Sequence, residues 1–167
     1  MRIGIIGDTH DQIPELKKTI QLLNEQEIEL LIHAGDWVSA FTLEYYKAFD
    51  CPIRGVWGNN VGDPRFKALA TKHGLDLDIQ ERFHLEIDGR SILVSHELKD
   101  IGSIRGVDLV VYGHDHQAKV EEKNQMLYIN PGTLLHETYP WLKTTPSFCI
   151  YDTRKNAAEV MTLGYPV

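Results

Sequence analysis

The chain has 167 residues, of which 24 are acidic and 17 basic, giving a formal net charge of −7. This length predicts one domain spanning residues 1–167, and the 43% hydrophobic and 25% charged residues are typical of soluble globular proteins. The acidic balance argues against binding of nucleic-acid polymers through a basic surface. The apolar runs are shorter than a membrane span or a signal peptide, so we expect a cytoplasmic protein with no membrane partner. The two cysteines, Cys51 and Cys149, are predicted to be free thiols.

The first half of the chain reads as alternating strands and helices. Strands are predicted over 2–6, 30–33 and 53–57 from their short β-branched and apolar runs. Helices are indicated by Pro14 with Leu16, Ile20 and Leu23, by Phe41, Tyr45 and Phe49, and by Asp63-Pro64 with Phe66, Leu69 and Ala70 before Gly74.

The second half reads mainly as strands. A hairpin is predicted over 83–87 and 91–94, because Asp88-Gly89 favours a tight turn between them. A strand over 108–112 follows, and then two further hairpins, over 118–121 with 126–129 and over 148–151 with 158–163. This order predicts the α/β or α+β class, with a two-sheet core and helices outside.

Polar residues with ligand chemistry stand just after five predicted strands. Their positions are Asp8 and His10, Asp36, Asn59 and Asn60, His96, and His114 and His116. Four of the five sites carry glycine immediately before the first polar residue, which permits sharp turns and close backbone approach. Because ligands of open α/β sheets bind outside the carboxyl ends of the strands, we expect these side chains to share one site.

The residue types predict a site for two divalent ions. Carboxylate, amide oxygen and imidazole donors without thiolate suit Mn, Fe, Ni, Co or Zn better than Ca or a structural zinc. Seven ligands exceed the need of one open catalytic ion and suffice for two if one aspartate bridges. Two ions and two carboxylates leave a charge of about +2, which a hydroxide and a phosphodiester would neutralise.

The ordered set Asp8-x-His10, Gly35-Asp36, Gly58-Asn59, His96 and Gly113-His114-x-His116 resembles the calcineurin-like metallophosphoesterases. The small size and the run Asn130-Pro131-Gly132-Thr133 are similar to the small prokaryotic phosphodiesterases of the YfcE type. The resemblance implies a four-layer α-β-β-α sandwich with two mixed β-sheets flanked by helices. It also implies hydrolysis of a small phosphodiester by a metal-bridging hydroxide.

The resemblance implies two ligand groups joined by a shared aspartate. One ion would be held by Asp8, His10, Asp36 and His116, and the other by Asp36, Asn59, His96 and His114. Mn²⁺ is the expected ion, with Ni²⁺, Fe²⁺, Co²⁺ and Zn²⁺ as alternatives. The residues expected to act on the substrate are Asp36, Asn59, Asn60 and His96.

Two positions depart from the family pattern. Asn60 stands where many members have a histidine, and an amide cannot act as a general acid at neutral pH. We therefore expect a preference for good leaving groups. Glu97 follows His96 where the family commonly has glycine, and it would repel a highly charged phosphomonoester if it faces the site.

The remaining histidines and aromatic residues have simpler interpretations. His33 is expected to be a buried, hydrogen-bonded strand residue, His73 a helix C-terminal residue, and His84 a surface residue. The aromatic residues after Asp36 are interpreted as a core stripe on a helix: Trp37, Phe41, Tyr45 and Tyr46. The apolar run Tyr139-Pro140-Trp141 predicts packing on its own domain or a contact between copies of the chain.

Three other functions stay open beside the phosphodiesterase. A phosphomonoesterase or a nuclease would use the same site, and the acidic composition disfavours the nuclease. A non-catalytic scaffold, as in the retromer subunit of the same fold, is the alternative from another class. The complete set of metal ligands in this chain favours catalysis.

Overall fold

A computed structural model describes residues 1–60, 62–101, 105–136, 138–139 and 142–164. Of the apolar run interpreted as a packing or oligomer contact, Pro140 and Trp141 lie outside the described residues.

Strands and helices alternate through the first half, as predicted, and strands dominate the second. The strands are β1 Arg2–Ile6, β2 Leu30–His33, β3 Ile53–Val56, β4 Leu77–Gln80, β5 Arg82–Ile87, β6 Arg90–Ser95, β7 Leu109–Val111, β8 Lys119–Lys123, β9 Met126–Asn130, β10 Thr138–Tyr139, β11 Leu142–Lys143, β12 Ser147–Asp152 and β13 Ala157–Thr162. The α-helices are α1 Ile13–Glu25, α2 Leu43–Tyr46 and α3 Phe66–Lys72, and 3₁₀ turns cover Ala40–Thr42 and Leu98–Ile101.

Two mixed sheets carry the fold, which confirms the predicted class. The first has the strand order β13-β12-β1-β2-β3-β4, in which β1 to β4 are mutually parallel. The helices α1, α2 and α3 connect these parallel strands. The second sheet has the order β5-β6-β7-β9-β8, with β6, β7 and β9 parallel and a hairpin at each edge. The hairpins predicted over 83–87 with 91–94 and over 118–121 with 126–129 form these edges.

The apolar residues of β1 divide between two cores because successive side chains of a strand point to opposite faces. Ile3 and Ile5 pack between the two sheets, against residues of the second sheet such as Val94 and Val111. Ile6 packs on the other face, in the core shared with α1. The helix contributes Leu16, Ile20 and Leu23, the residues that its 3.6-residue period predicts.

The prediction of a helix with Phe41, Tyr45 and Phe49 on its inward face is partly wrong. A 3₁₀ turn over Ala40–Thr42 precedes the short α2, and its three-residue period shifts the phase of the inward face. Leu43 and Tyr46 consequently face the core, whereas Phe41 is 61% exposed. Trp37 and Tyr46 do belong to the core stripe that the sequence predicts.

The strand β4 and the β10–β11 pair have no counterpart in the predicted elements. The four residues of β4 include two acidic or amide side chains, and only Ile79 is fully buried. Such a short edge strand has too weak a polarity pattern for detection. Among the described residues no helix has the length and apolar character of a membrane span. Cys51 and Cys149 are free thiols, as predicted.

Candidate metal centre

The loops after β1, β2, β3, β6 and β7 meet at one edge of the two sheets. Hydrogen bonds between neighbouring loops extend the strand pairing beyond the strands themselves. The N–H of Asp8 donates to the carbonyl oxygen of Gly35 at 2.9 Å. The N–H of Asp36 donates to the carbonyl oxygen of Trp57 at 2.9 Å. The carboxyl ends of parallel strands share this edge, so all seven predicted ligands lie in the same region.

Four of the predicted ligands form the first group. One donor atom from each of Asp8, His10, Asp36 and His116 lies within 4.8 Å of those of the other three. The Nε2 atoms of His10 and His116 are 3.2 Å apart, and His116 Nε2 is 3.4 Å from Asp8 Oδ1. Such a cluster of two imidazoles and two buried carboxylates can hold a divalent ion.

The second group lies on the other side of Asp36. His96 Nε2 is 3.4 Å from Asp36 Oδ1 and 2.8 Å from Asn59 Oδ1. His114 Nδ1 reaches the same amide oxygen at 2.9 Å. The other carboxylate oxygen of Asp36, Oδ2, faces His10 Nε2 at 3.5 Å. Each oxygen of this carboxylate therefore faces one of the two groups.

The protonation of His96 tests whether these donors fit an ion. Its Nδ1 lies 2.7 Å from the carbonyl oxygen of Ala34, and a carbonyl can only accept, so Nδ1 carries the proton. In the neutral ring Nε2 then presents a lone pair to Asn59 Oδ1, which is also an acceptor. A shared cation relieves the repulsion between such lone pairs. The donor set therefore fits a metal site.

Five of the seven predicted ligands have left-handed backbone conformations. The φ angles are 47° for Asp8, 43° for His10, 58° for Asp36, 74° for His114 and 59° for His116. Residues other than glycine adopt this region at a cost of about 1–2 kcal/mol each. Such strain concentrates at functional sites, where the surrounding structure maintains it.

The glycine before His114 leaves room for Asp8. A Cβ atom on Gly113 would lie 2.5 Å from Asp8 Oδ2 and 3.1 Å from the carbonyl oxygen of Ala34. The backbone N–H of His114 also donates to Asp8 Oδ2 at 3.0 Å, so the carboxylate cannot move without losing this bond. Close approach explains why glycine stands here.

We expect Gly113→Ala to weaken metal binding by about 10–100-fold, the range seen when the surroundings of metal ligands are disturbed. The added methyl group must displace the Asp8 carboxylate. The measurement is the number of bound ions per chain and their affinity. Gly164→Ala is the matched control, because nothing lies within 4 Å of its added Cβ. Unchanged affinity in Gly113→Ala would contradict the close approach.

His33 is buried and forms hydrogen bonds to the loops after β1 and β2, as predicted. Its Nδ1 accepts from the N–H of Gly35 at 3.1 Å, so Nε2 carries the proton and lies 3.1 Å from the Tyr46 hydroxyl and 3.3 Å from the Thr9 hydroxyl.

Burial first, and then the nearby His96 and His10, hold the pKa of His33 well below its usual 6.5. The ring is therefore neutral in the folded protein. Since only the unfolded chain protonates it below about pH 6.5, this group lowers stability as the pH falls.

The run Asn130-Pro131-Gly132-Thr133 has a positioning role that sequence reasoning did not assign. The hydroxyl of Thr133 donates to the backbone carbonyl of Asp8 at 2.7 Å. The amide of Asn130 donates to the carbonyl of Gly113 at 3.1 Å and to Asp115 Oδ1 at 2.5 Å. The first and last ligand loops are thus joined through this run. Only its resemblance to the small family members was visible in the sequence.

Asn60 contacts Asp36 directly. Its backbone N–H donates to Asp36 Oδ1 at 2.8 Å, and its side-chain amide donates to Oδ2 at 2.6 Å. This side chain therefore orients the carboxylate that both groups share. Action of Asn60 on a leaving group stays a prediction.

The other histidines lie outside the two groups. His73 caps the carboxyl end of α3, as predicted, and His84 bonds to the Ser91 hydroxyl on the edge hairpin, with half of its side chain exposed. His136 lies 3.7 Å from Glu15 of α1. Glu97 faces the site, with Oε2 at 3.6 Å from His114 Nε2.

The calcineurin-like phosphoesterase superfamily domain matches residues 1–156 of the chain. The chain belongs to this superfamily. It is 32% identical to the phosphodiesterase MJ0936 of Methanocaldococcus jannaschii, covering 98% of this chain and 99% of that protein. It is 29% identical to the probable metallophosphoesterase YsnB of Bacillus subtilis, covering 96% of this chain and 89% of that protein.

Solved phosphoesterase structures have the same fold. An archaeal phosphodiesterase superposes with a TM-score of 0.86 at 30% identity, covering 98% of this chain and all of the other. The phosphoesterase YfcE of E. coli gives a TM-score of 0.72 at 16% identity, covering 98% and 100%. The match to YfcE shows the fold alone. The resemblance to calcineurin-like phosphoesterases is therefore confirmed. The chain is a homologue of a phosphodiesterase, and its own His/Asp group can bind a metal.

Proposed function

We propose that this calcineurin-like phosphoesterase is a metal-dependent phosphodiesterase that hydrolyses a small phosphodiester at a dinuclear site. The observation that carries the proposal is the placement of Asp36, whose two carboxylate oxygens face two separate groups of donors. The names of the similar proteins support hydrolysis of a phosphodiester.

The distances support two proposed ligand sets. The first ion would be held by Asp8, His10, Asp36 and His116, and the second by Asp36, Asn59, His96 and His114. Nitrogen and oxygen donors without thiolate suit Mn²⁺, Ni²⁺, Fe²⁺, Co²⁺ or Zn²⁺, and among these Mn²⁺ is the proposed ion. When bound, the two ions would lower the pKa of water and offset the negative charge of the phosphoryl oxygens.

The residues of the chain orient this site and set its charge. Ala34 holds the proton on His96 Nδ1, which leaves Nε2 free for an ion. Asn60 fixes the orientation of the Asp36 carboxylate through two hydrogen bonds. The buried carboxylates of Asp8 and Asp36 offset half of the charge of two divalent ions. A monoanionic diester and a hydroxide would balance the remainder.

The rim of the site also favours a diester. Glu97 adds a negative charge beside His114, although Lys99 Nζ pairs with the same carboxylate oxygen at 2.5 Å. A dianionic monoester would be repelled more strongly than a monoanionic diester. The free thiols Cys51 and Cys149 support activity in the reducing cytoplasm.

Hydrolysis of matched aryl esters tests the proposal. Metal-free protein would be supplied in turn with Mn²⁺, Ni²⁺, Fe²⁺, Co²⁺ and Zn²⁺ and given a bis-aryl phosphodiester or the corresponding aryl phosphomonoester. We expect the diester to react at least about 10-fold faster, a difference of roughly 1.4 kcal/mol in transition-state stabilisation. Faster monoester hydrolysis would assign a phosphomonoesterase. Two bound ions without hydrolysis of either ester would favour the scaffold.

A further inference from the structure

Glu97 stands beside the second ligand group without belonging to it. Its Oε2 atom lies 3.6 Å from His114 Nε2 and 2.5 Å from Lys99 Nζ, and 17% of its side chain is exposed. A glutamate carboxylate carries no hydrogen at neutral pH, so it can only accept hydrogen bonds.

The ring of His114 has two differently placed nitrogens. Nδ1 lies 2.9 Å from Asn59 Oδ1, and Nε2 faces Glu97. An ion shared with Asn59 can therefore be bound only through Nδ1. A neutral imidazole that binds through Nδ1 carries its proton on Nε2. That proton points towards the Glu97 carboxylate.

The two histidines of this group need orientation to different degrees. His96 has only 6% of its side chain exposed and is oriented by the carbonyl of Ala34. His114 has 47% of its side chain exposed and a left-handed backbone with φ of 74°. A carboxylate beside its outer nitrogen restricts both the tautomer and the rotation of this ring. Carboxylates in this relation to metal-bound histidines also raise the basicity of the ligand.

We infer that Glu97 is a positioning residue, which holds the proton of His114 on Nε2 and so directs Nδ1 to the second ion. The inference rests on the proposed dinuclear site. Its consequence is a selective one, since the first ion has no ligand in contact with Glu97 among the described residues. Loss of the carboxylate should therefore weaken one ion and spare the other.

Calorimetric titration of metal-free protein with Co²⁺ tests this selectivity. The parent should show two binding steps, and the step that disappears in Asn59→Ala reports the second ion. We expect Glu97→Ala to weaken that step about 10–100-fold and to change the other by less than about twofold. Glu97→Gln should recover most of the loss, because its amide oxygen still accepts a hydrogen bond.

Glu86 offers a matched control. Its Oε1 atom lies 3.6 Å from His84 Nε2 on the edge hairpin, which reproduces the Glu97 distance away from the site. Glu86→Ala should leave both steps unchanged. Equal weakening of both steps in Glu97→Ala, or an unchanged second step, would overturn the inference. A parent that binds fewer than two ions would instead contradict the proposed dinuclear site.

A spectroscopic signal separates positioning from a general loss of structure. In Zn²⁺-loaded protein, the imidazole Nε2–H proton of His114 should exchange slowly with water and be visible by NMR. We expect Glu97→Ala to lose this signal and Glu97→Gln to keep it, while other histidine signals stay unchanged. A signal that persists in Glu97→Ala would show that the carboxylate does not hold this proton.

Discussion

Asp36→Asn is expected to remove both ions and to lower diester hydrolysis by more than about 100-fold. This exceeds the loss typical when a residue that contacts a metal ligand is changed. The substitution removes the negative charge that both ligand groups share. It also replaces one of two acceptor oxygens by an NH₂ group. Since Asn60 donates to both oxygens of Asp36, one of its hydrogen bonds would then face another donor. Metal analysis of the purified variant and its rate of diester hydrolysis measure these effects.

Asp78→Asn is the control for this loss of a carboxylate. Asp78 pairs with Lys67 at 3.0 Å on the surface, where removal of an exposed ion pair costs about 1 kcal/mol or less. Its metal content and activity should match the parent. A variant Asp36→Asn that retains two tightly bound ions would rule out a shared carboxylate.

Chelation is expected to abolish hydrolysis completely and to leave the secondary structure intact at 25 °C. The predicted ligands lie on loops beyond the strand ends, whereas the stability of the fold comes from two apolar cores. Each ion present at 100 times its dissociation constant stabilises a protein by about 2.7 kcal/mol. For a chain of this size, the loss of two such ions should lower the Tm by about 10–20 °C.

Activity, far-ultraviolet circular dichroism and thermal unfolding would be followed on the same chelated sample. Restored activity after addition of Mn²⁺ shows that the loss is reversible. Full activity in the metal-free protein would contradict the metal-dependent reaction. Unfolding at 25 °C on chelation would show instead that the ions are needed for the fold.

The proximity of the seven candidate residues could be predicted because their sequence signal is local and repeated. Asp, Asn or His follows a short apolar strand at five places, with glycine before four of them. Parallel strands bring their carboxyl ends to one edge, so the order of the elements already implies that these loops meet. The seven side chains do lie together, while their role as ligands stays a prediction.

Other features could not be predicted because they depend on a local change of helix type or on strand pairing. The exposure of Phe41 follows from a 3₁₀ turn that shifts the inward face by a fraction of a turn. The edge strand β4 forms because it pairs with β3, although its own sequence has only a weak alternation of polar and apolar residues. Neither effect changes the local composition, so neither leaves a signal in the sequence.

The sequence by itself determined the family and the residue types that meet at the candidate site, because these depend on residue identity and spacing; the kind of metal stays a prediction. Only the tertiary structure decided how those residues are oriented. It turned the two oxygens of Asp36 towards different groups and placed Asn60 against them. It also placed the Glu97 carboxylate beside His114. Hydrogen bonds and ion pairs depend on distances of a few ångströms between residues far apart in the chain, and these distances arise only when the strands pair and the two sheets pack together.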